Sequence, residues 1–85
     1  MENTIISRNL INAFRKLLCD ERKKRNLSQF ELSERCGLSR QTISLFESGK
    51  RVPTLISLFQ LSKGLNMSSI KFLSLLIKKI EPAPH

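Results

Sequence analysis

Arg40 and Gln41 are neighbours, and Ser44 and Leu45 follow about one helical turn later. Arginine presents its N–H donors in a planar fork, and glutamine pairs amide donors with an acceptor. Each can hold a planar partner through two hydrogen bonds at once, whereas a leucine beside them offers apolar contact only. This is recognition chemistry, not bond-breaking chemistry. Groups suited to catalysis are sparse: His85 is the single histidine, and Cys19 and Cys36 have no histidine near them in sequence. The acids are scattered among cations and no glycine-rich phosphate loop occurs, so the chain is expected not to be an enzyme and to need no cofactor. Two cysteines at this spacing suit neither a metal site nor a disulfide framework; reduced thiols in a cytoplasmic protein are expected.

The elements that must position Arg40 and Gln41 are written around them. The stretch "LSQFELSERCGLSRQTISLFESGKRVP", residues 27–53, opens two helices with the same dipeptide, Leu27-Ser28 and Leu38-Ser39. Ser28 and Glu31 form an S-x-x-E capping box, and Leu27 and Leu32 occupy the staple positions around it. Gly37 can take the left-handed turn that ends the first short helix. Leu38, Ser39 and Ile43 repeat the start, and Ser48-Gly49-Lys50 ends the second helix. Two capped helices joined by so tight a turn must cross at a large angle, as in a helix-turn-helix. Leu32, Cys36, Ile43 and Phe46 then face inward, leaving Arg40, Gln41, Ser44 and Leu45 outside with Ser39 at the tip.

The flanking segments supply the support. Leu10, Ile11, Phe14, Leu17 and Leu18 recur at helical spacing, and that helix runs into Arg22-Lys23-Lys24-Arg25 with Asn26 as its stop. Pro53-Thr54 starts a fourth helix carrying Leu55, Leu58, Phe59 and Leu61, which ends near Gly64-Leu65-Asn66. Ser68 caps a fifth, with Ile70, Leu73, Leu76, Ile77 and Ile80 on one side, and Pro82 and Pro84 stop it. The reading is all-α: a five-helix domain with the helix-turn-helix at helices 2 and 3. Residues 1–8 are expected to form an N-terminal extension, 9–80 the domain with a C-terminal dimerisation helix, and 81–85 a disordered tail.

Charge narrows the partner. The 85 residues carry 15 Lys and Arg against 7 Asp and Glu, a net charge of +8. Neutralising phosphates releases counterions, so such a surplus favours a polyanion, and nucleic acid foremost. No run approaches the roughly 18 apolar residues of a spanning helix, and no secretory pattern opens the chain. An outward Arg-Gln pair suits the major groove of double-stranded DNA: arginine pairs with guanine, glutamine with adenine, and Leu45 can rest on a thymine methyl.

These pieces, in this order, resemble the helix-turn-helix of phage repressor and Cro-type regulators, the xenobiotic-response-element family. The matching segments are Arg22, "LSQFEL" (27–32), Gly37, "LSRQTIS" (38–44), Glu47, Gly49, and Pro53 leading into "TLISLFQLSKGLNMSSIKFL" (54–73). The resemblance covers residues 10–77 and implies that helix 3 reads bases through Arg40, Gln41, Ser44 and Leu45. It implies DNA-backbone contacts from Gln29, Ser39, Thr42, Ser48, Lys50 and Arg51, with Gln29 also bracing the reading helix. Arg22 and Glu47 correspond to a buried ion pair tying helix 1 to the end of helix 3. Three residues depart from the pattern: Glu21 stands at a usually apolar position, Phe30, at a usually polar one, is expected to cover Leu27, and Leu45 cannot hydrogen-bond to a base, so readout there is apolar or absent.

Met67, Ile70, Phe72, Leu73, Leu76, Ile77 and Ile80 are more apolar residues than one face of a small monomer buries, so the last helix is read as the seam of a homodimer. A dimer would set two reading helices about 34–36 Å apart, in successive grooves of a pseudo-palindromic operator. Short members of this kind resemble restriction-modification controller proteins and phage repressors. The expected function is sequence-specific transcriptional regulation that blocks or recruits RNA polymerase. An antitoxin-type module, which neutralises a protein partner and autoregulates its operon, is the alternative. A membrane-surface role for residues 68–80, with Lys71, Lys78 and Lys79, is disfavoured by the cap and by the motif upstream.

Overall fold

The computed structural model describes the backbone of residues 4–80 and the side chains of residues 7–80. The tail 81–85 lies outside the described residues, as do residues 1–3. Five helices follow one another: α1 (Thr4–Lys24), α2 (Gln29–Cys36), α3 (Arg40–Glu47), α4 (Leu55–Gly64) and α5 (Ser69–Ile80). The helix-turn-helix is α2–α3.

Every short helix starts on a hydroxyl that the sequence placed there. Ser28 Oγ accepts from the Glu31 amide at 2.9 Å while Glu31 Oε1 accepts from the Ser28 amide at 2.8 Å, completing the capping box. Ser39, Thr54 and Ser68 accept in the same way from the amides of Thr42, Ser57 and Lys71. The stops are left-handed residues: Asn26 and Asn66 at φ 57°, and Gly37 at φ 78°.

α1 starts earlier than the apolar spacing suggests, because residues 4–8, expected in an extension, already belong to it. They contain neither glycine nor proline, and adding turns to a formed helix is easy. Ser7, Arg8 and Asn9 are exposed, so periodicity marks where α1 begins to pack and not where it begins to coil.

Packing then fixes the frame. α1 lies against α3 and α5, and α2 against α3 and α4. Phe14, Leu17 and Leu18 of α1 meet Leu32, Ile43, Phe46, Leu61, Leu65 and Phe72 in one core. The rings of Phe14 and Phe46 meet edge to face with centroids 5.6 Å apart, so α1 backs directly onto the inner side of α3. α2 and α4 approach so closely at Gly64 that a Cβ there would sit 2.7 Å from Cys36 Cβ. The same packing corrects the expected seam. Phe72 and Leu76 are 1% and 6% exposed, on the face of α5 turned to the core, and present nothing to a partner.

Glu21, the polar departure near the end of α1, is buried and still satisfied. Its carboxylate accepts from Arg25 Nη1 at 2.6 Å and from Lys24 Nζ at 3.2 Å. Arg25 Nε in turn donates to the carbonyl of Leu65 at 2.8 Å, tying the end of α1 to the end of α4. Burial pushes the Glu21 carboxyl upward, but the hydrogen bonds from Arg25 and Lys24 outweigh it and the pKa lies below the ordinary value. A depressed folded-state pKa contributes stability above the unfolded value, lost as pH falls through the folded one. In urea titrations, the advantage of wild type over Glu21→Gln should therefore be full near neutral pH and shrink below about pH 4.3. A pH-independent gap would contradict this.

Candidate nucleic-acid interface

α3 is held from beneath and left open above. Ile43 and Phe46 are buried, whereas Arg40, Gln41 and Ser44 are exposed. Leu45 is half-buried, so only part of its side chain is available to a partner. At the N-terminus of α3, Ser39 caps the helix and shares a hydroxyl–hydroxyl hydrogen bond of 2.8 Å with Thr42. Both hydroxyls lie beside the positive end of the helix, where anions are favoured.

The other end of α3 is anchored on Glu47. Its carboxylate accepts from Arg22 Nε at 2.7 Å, Arg22 Nη2 at 2.9 Å and Gln29 Nε2 at 3.0 Å. Arg22 also donates to the carbonyl of Leu27 at 2.7 Å, so one guanidinium joins α1, the α1–α2 turn and α3. Both charged side chains are largely buried, and the hydrogen bond to Glu47 holds the Arg22 pKa above its ordinary value. Gln29 reaches α3 from the first residue of α2, which gives it the bracing position.

Beyond Glu47 the chain folds back on itself. The amides of Lys50 and Arg51 both donate to the carbonyl of Leu45, and Ser48 Oγ donates to the same oxygen at 3.1 Å. Gly49, at φ 79°, makes this turn possible. Ser48, Lys50 and Arg51 are all exposed, so the turn sets two cations beside the end of α3. Phe30, on α2, is 57% exposed, while Leu27 is buried.

Sequence reasoning misses one arginine that shapes this surface, Arg15. Arg15 Nε donates to the main-chain carbonyl of Glu47 at 3.3 Å. It precedes Arg22 by seven residues and so shares its face of α1, a spacing that could have flagged it.

A helix-turn-helix family model (HTH_3) matches residues 20–73, more than half of the chain, from the end of α1 through α2, α3 and α4 into α5. The chain belongs to the helix-turn-helix family. Its relatives include an uncharacterised HTH-type transcriptional regulator, y4dJ, of Sinorhizobium fredii, 36% identical over 53 residues, spanning 62% of this chain and 69% of that one. An uncharacterised HTH-type transcriptional regulator of Methanothermobacter thermautotrophicus is 39% identical over 57 residues, covering 67% and 83%. Among solved structures, the restriction-modification controller protein C.Esp1396I superposes with a TM-score of 0.78 at 31% identity, over 84% of this chain and 92% of that one. The same protein is also known as a tetramer in complex with its natural 35-base-pair operator, and that structure matches this chain equally well, with a TM-score of 0.78.

Proposed function

We propose that this chain is a cytoplasmic regulator that binds double-stranded DNA as a homodimer, places α3 in the major groove of each half of a pseudo-palindromic operator, and blocks or recruits RNA polymerase there. The observation that carries the reading is the outward set Arg40, Gln41 and Ser44 on a helix capped at one end and ion-paired at the other. Arg40 and Gln41 read base edges, with Ser44 and the exposed part of Leu45 beside them. Ser39, Thr42, Gln29, Ser48, Lys50 and Arg51 meet phosphates at the two ends of α3. That the similar controller protein C.Esp1396I binds its operator as a tetramer supports DNA binding by an oligomer of this fold.

The dimer surface is built from α4 as well as α5. Leu55, Ile56 and Phe59 on α4, and Ile70 and Ile77 on α5, are all more than half exposed. Met67, Leu73 and Ile80, also expected at the seam, are half-buried against the core. Large apolar side chains concentrated on two helices that pack together mark an interaction face.

Selection from a pool of random duplexes tests this reading. The purified protein should enrich a two-fold-symmetric site with half-sites about 10–10.5 base pairs apart or a multiple of that. A pool that stays random would contradict it. Lys50→Ala and Arg51→Ala should weaken binding to every duplex alike and lower the slope of log affinity against log salt by about one for each phosphate no longer neutralised. An unchanged slope removes those two residues from the backbone contacts.

A further inference from the structure

The turn that carries Lys50 and Arg51 does not rest on α3 alone. Arg15, half-buried on α1, runs beneath it. Its Nε donates to the Glu47 carbonyl at 3.3 Å, and its Nη1 donates to Asn12 Oδ1 at 3.2 Å, which fixes the guanidinium against α1. Its aliphatic stem fills the space under Gly49: a Cβ on that glycine would lie 2.8 Å from Arg15 Cδ and 3.2 Å from Nε. Gly49 thus meets two demands at once, a left-handed φ and close passage over a side chain from another helix. The carbonyl that Arg15 holds belongs to the last residue of α3, immediately before the turn.

We infer that Arg15 is a positioning residue for the phosphate-contacting turn: it sets where Lys50 and Arg51 stand relative to α3 and touches no phosphate itself. The inference rests on the reading of the protein as a DNA binder. Arg22 secures the Glu47 side chain and Arg15 its main chain, so α1 governs both the tilt of the reading helix and the direction in which the chain leaves it. Without Arg15 the turn is still closed by its own hydrogen bonds to Leu45, but it loses the hydrogen bond from α1 to the Glu47 carbonyl and the stem under Gly49.

The test is a double-mutant cycle on DNA binding, with thermal melting followed in parallel. Arg15→Met keeps a stem under Gly49 and removes the donors. On a random-sequence duplex it should lower the salt slope by up to about one and weaken binding several-fold. In a Lys50→Ala/Arg51→Ala background the same substitution should change neither. A drop of equal size in both backgrounds, as a direct phosphate contact would give, overturns the inference, and so does a lowered melting temperature with unchanged binding. Should Arg15→Met fail to fold, Arg15→Lys, which keeps stem and charge, carries the same cycle with the same expected coupling. Wild-type protein that binds no duplex would refute the functional reading itself; wild type that binds while Arg15→Met binds identically refutes only the role of Arg15.

Discussion

Glu47→Ala should destabilise the protein by about 3–5 kcal/mol, because it strands a buried guanidinium. In the folded protein the Glu47 carboxylate is the acceptor for three N–H groups, two from Arg22 and one from Gln29. Removing it leaves Arg22 with the Leu27 carbonyl as its remaining acceptor, and leaves Gln29 without its partner on α3. The cost comes from the charge left behind more than from the net worth of the pair. Glu47→Gln keeps an acceptor and the shape but loses the negative charge, so it should fall between wild type and Glu47→Ala. Urea unfolding followed by circular dichroism at fixed protein concentration measures both. For a domain of this size each kcal/mol corresponds to about 4–8 °C in Tm, so Glu47→Ala should be conspicuous in a melt as well. A change below about 1 kcal/mol would place the pair among exposed ion pairs of little consequence.

Splitting the proposed dimer should have the largest effect on DNA binding. Ile56→Asp and Ile70→Asp alter side chains that are 72% and 80% exposed, so each protomer should keep its helix content. A buried carboxylate at a symmetric apolar seam faces its own copy, and that opposes association doubly. The double variant is expected to sediment as a monomer. Linking two binding modules raises avidity by about a hundredfold or more, so affinity for a two-half-site operator should drop by at least that factor. Affinity for a single half-site should stay the same. Substituting Phe72 or Leu76 would not make this test, because both are core residues whose truncation unfolds the protomer. A double variant that remains dimeric would move the seam off α4 and α5.

What can be read from the sequence is whatever local chemistry decides. Ser28 with Glu31, Gly37, Ser39 and Asn26 announce helix ends through short-range hydrogen bonds and backbone freedom, and each stands at such an end. Leu32, Cys36, Ile43 and Phe46 follow a single periodicity, and their burial turns Arg40 and Gln41 outward. The misreadings of α5 and of Arg15 involve long-range geometry. α5 is apolar on several sides, and which side is covered depends on where α1 and α4 lie. Hence Phe72 and Leu76 pass for seam residues in the sequence, while Leu55, Ile56 and Phe59 do not stand out. Glu21 resembles a packing fault by residue type alone, although Lys24 and Arg25, three and four residues on, satisfy its carboxylate. Arg15 is one cation among many until the passage of Gly49 over it is seen.

Parallel titration of wild type, Arg40→Ala and Gln41→Ala against the selected site and a scrambled duplex tests most directly whether α3 reads sequence. Each substitution should cost about 1–3 kcal/mol of binding on the selected site, while affinity for the scrambled duplex and its salt slope stay at wild-type values. Equal losses on the two duplexes, or none on either, would show that the outer face of α3 does not read bases.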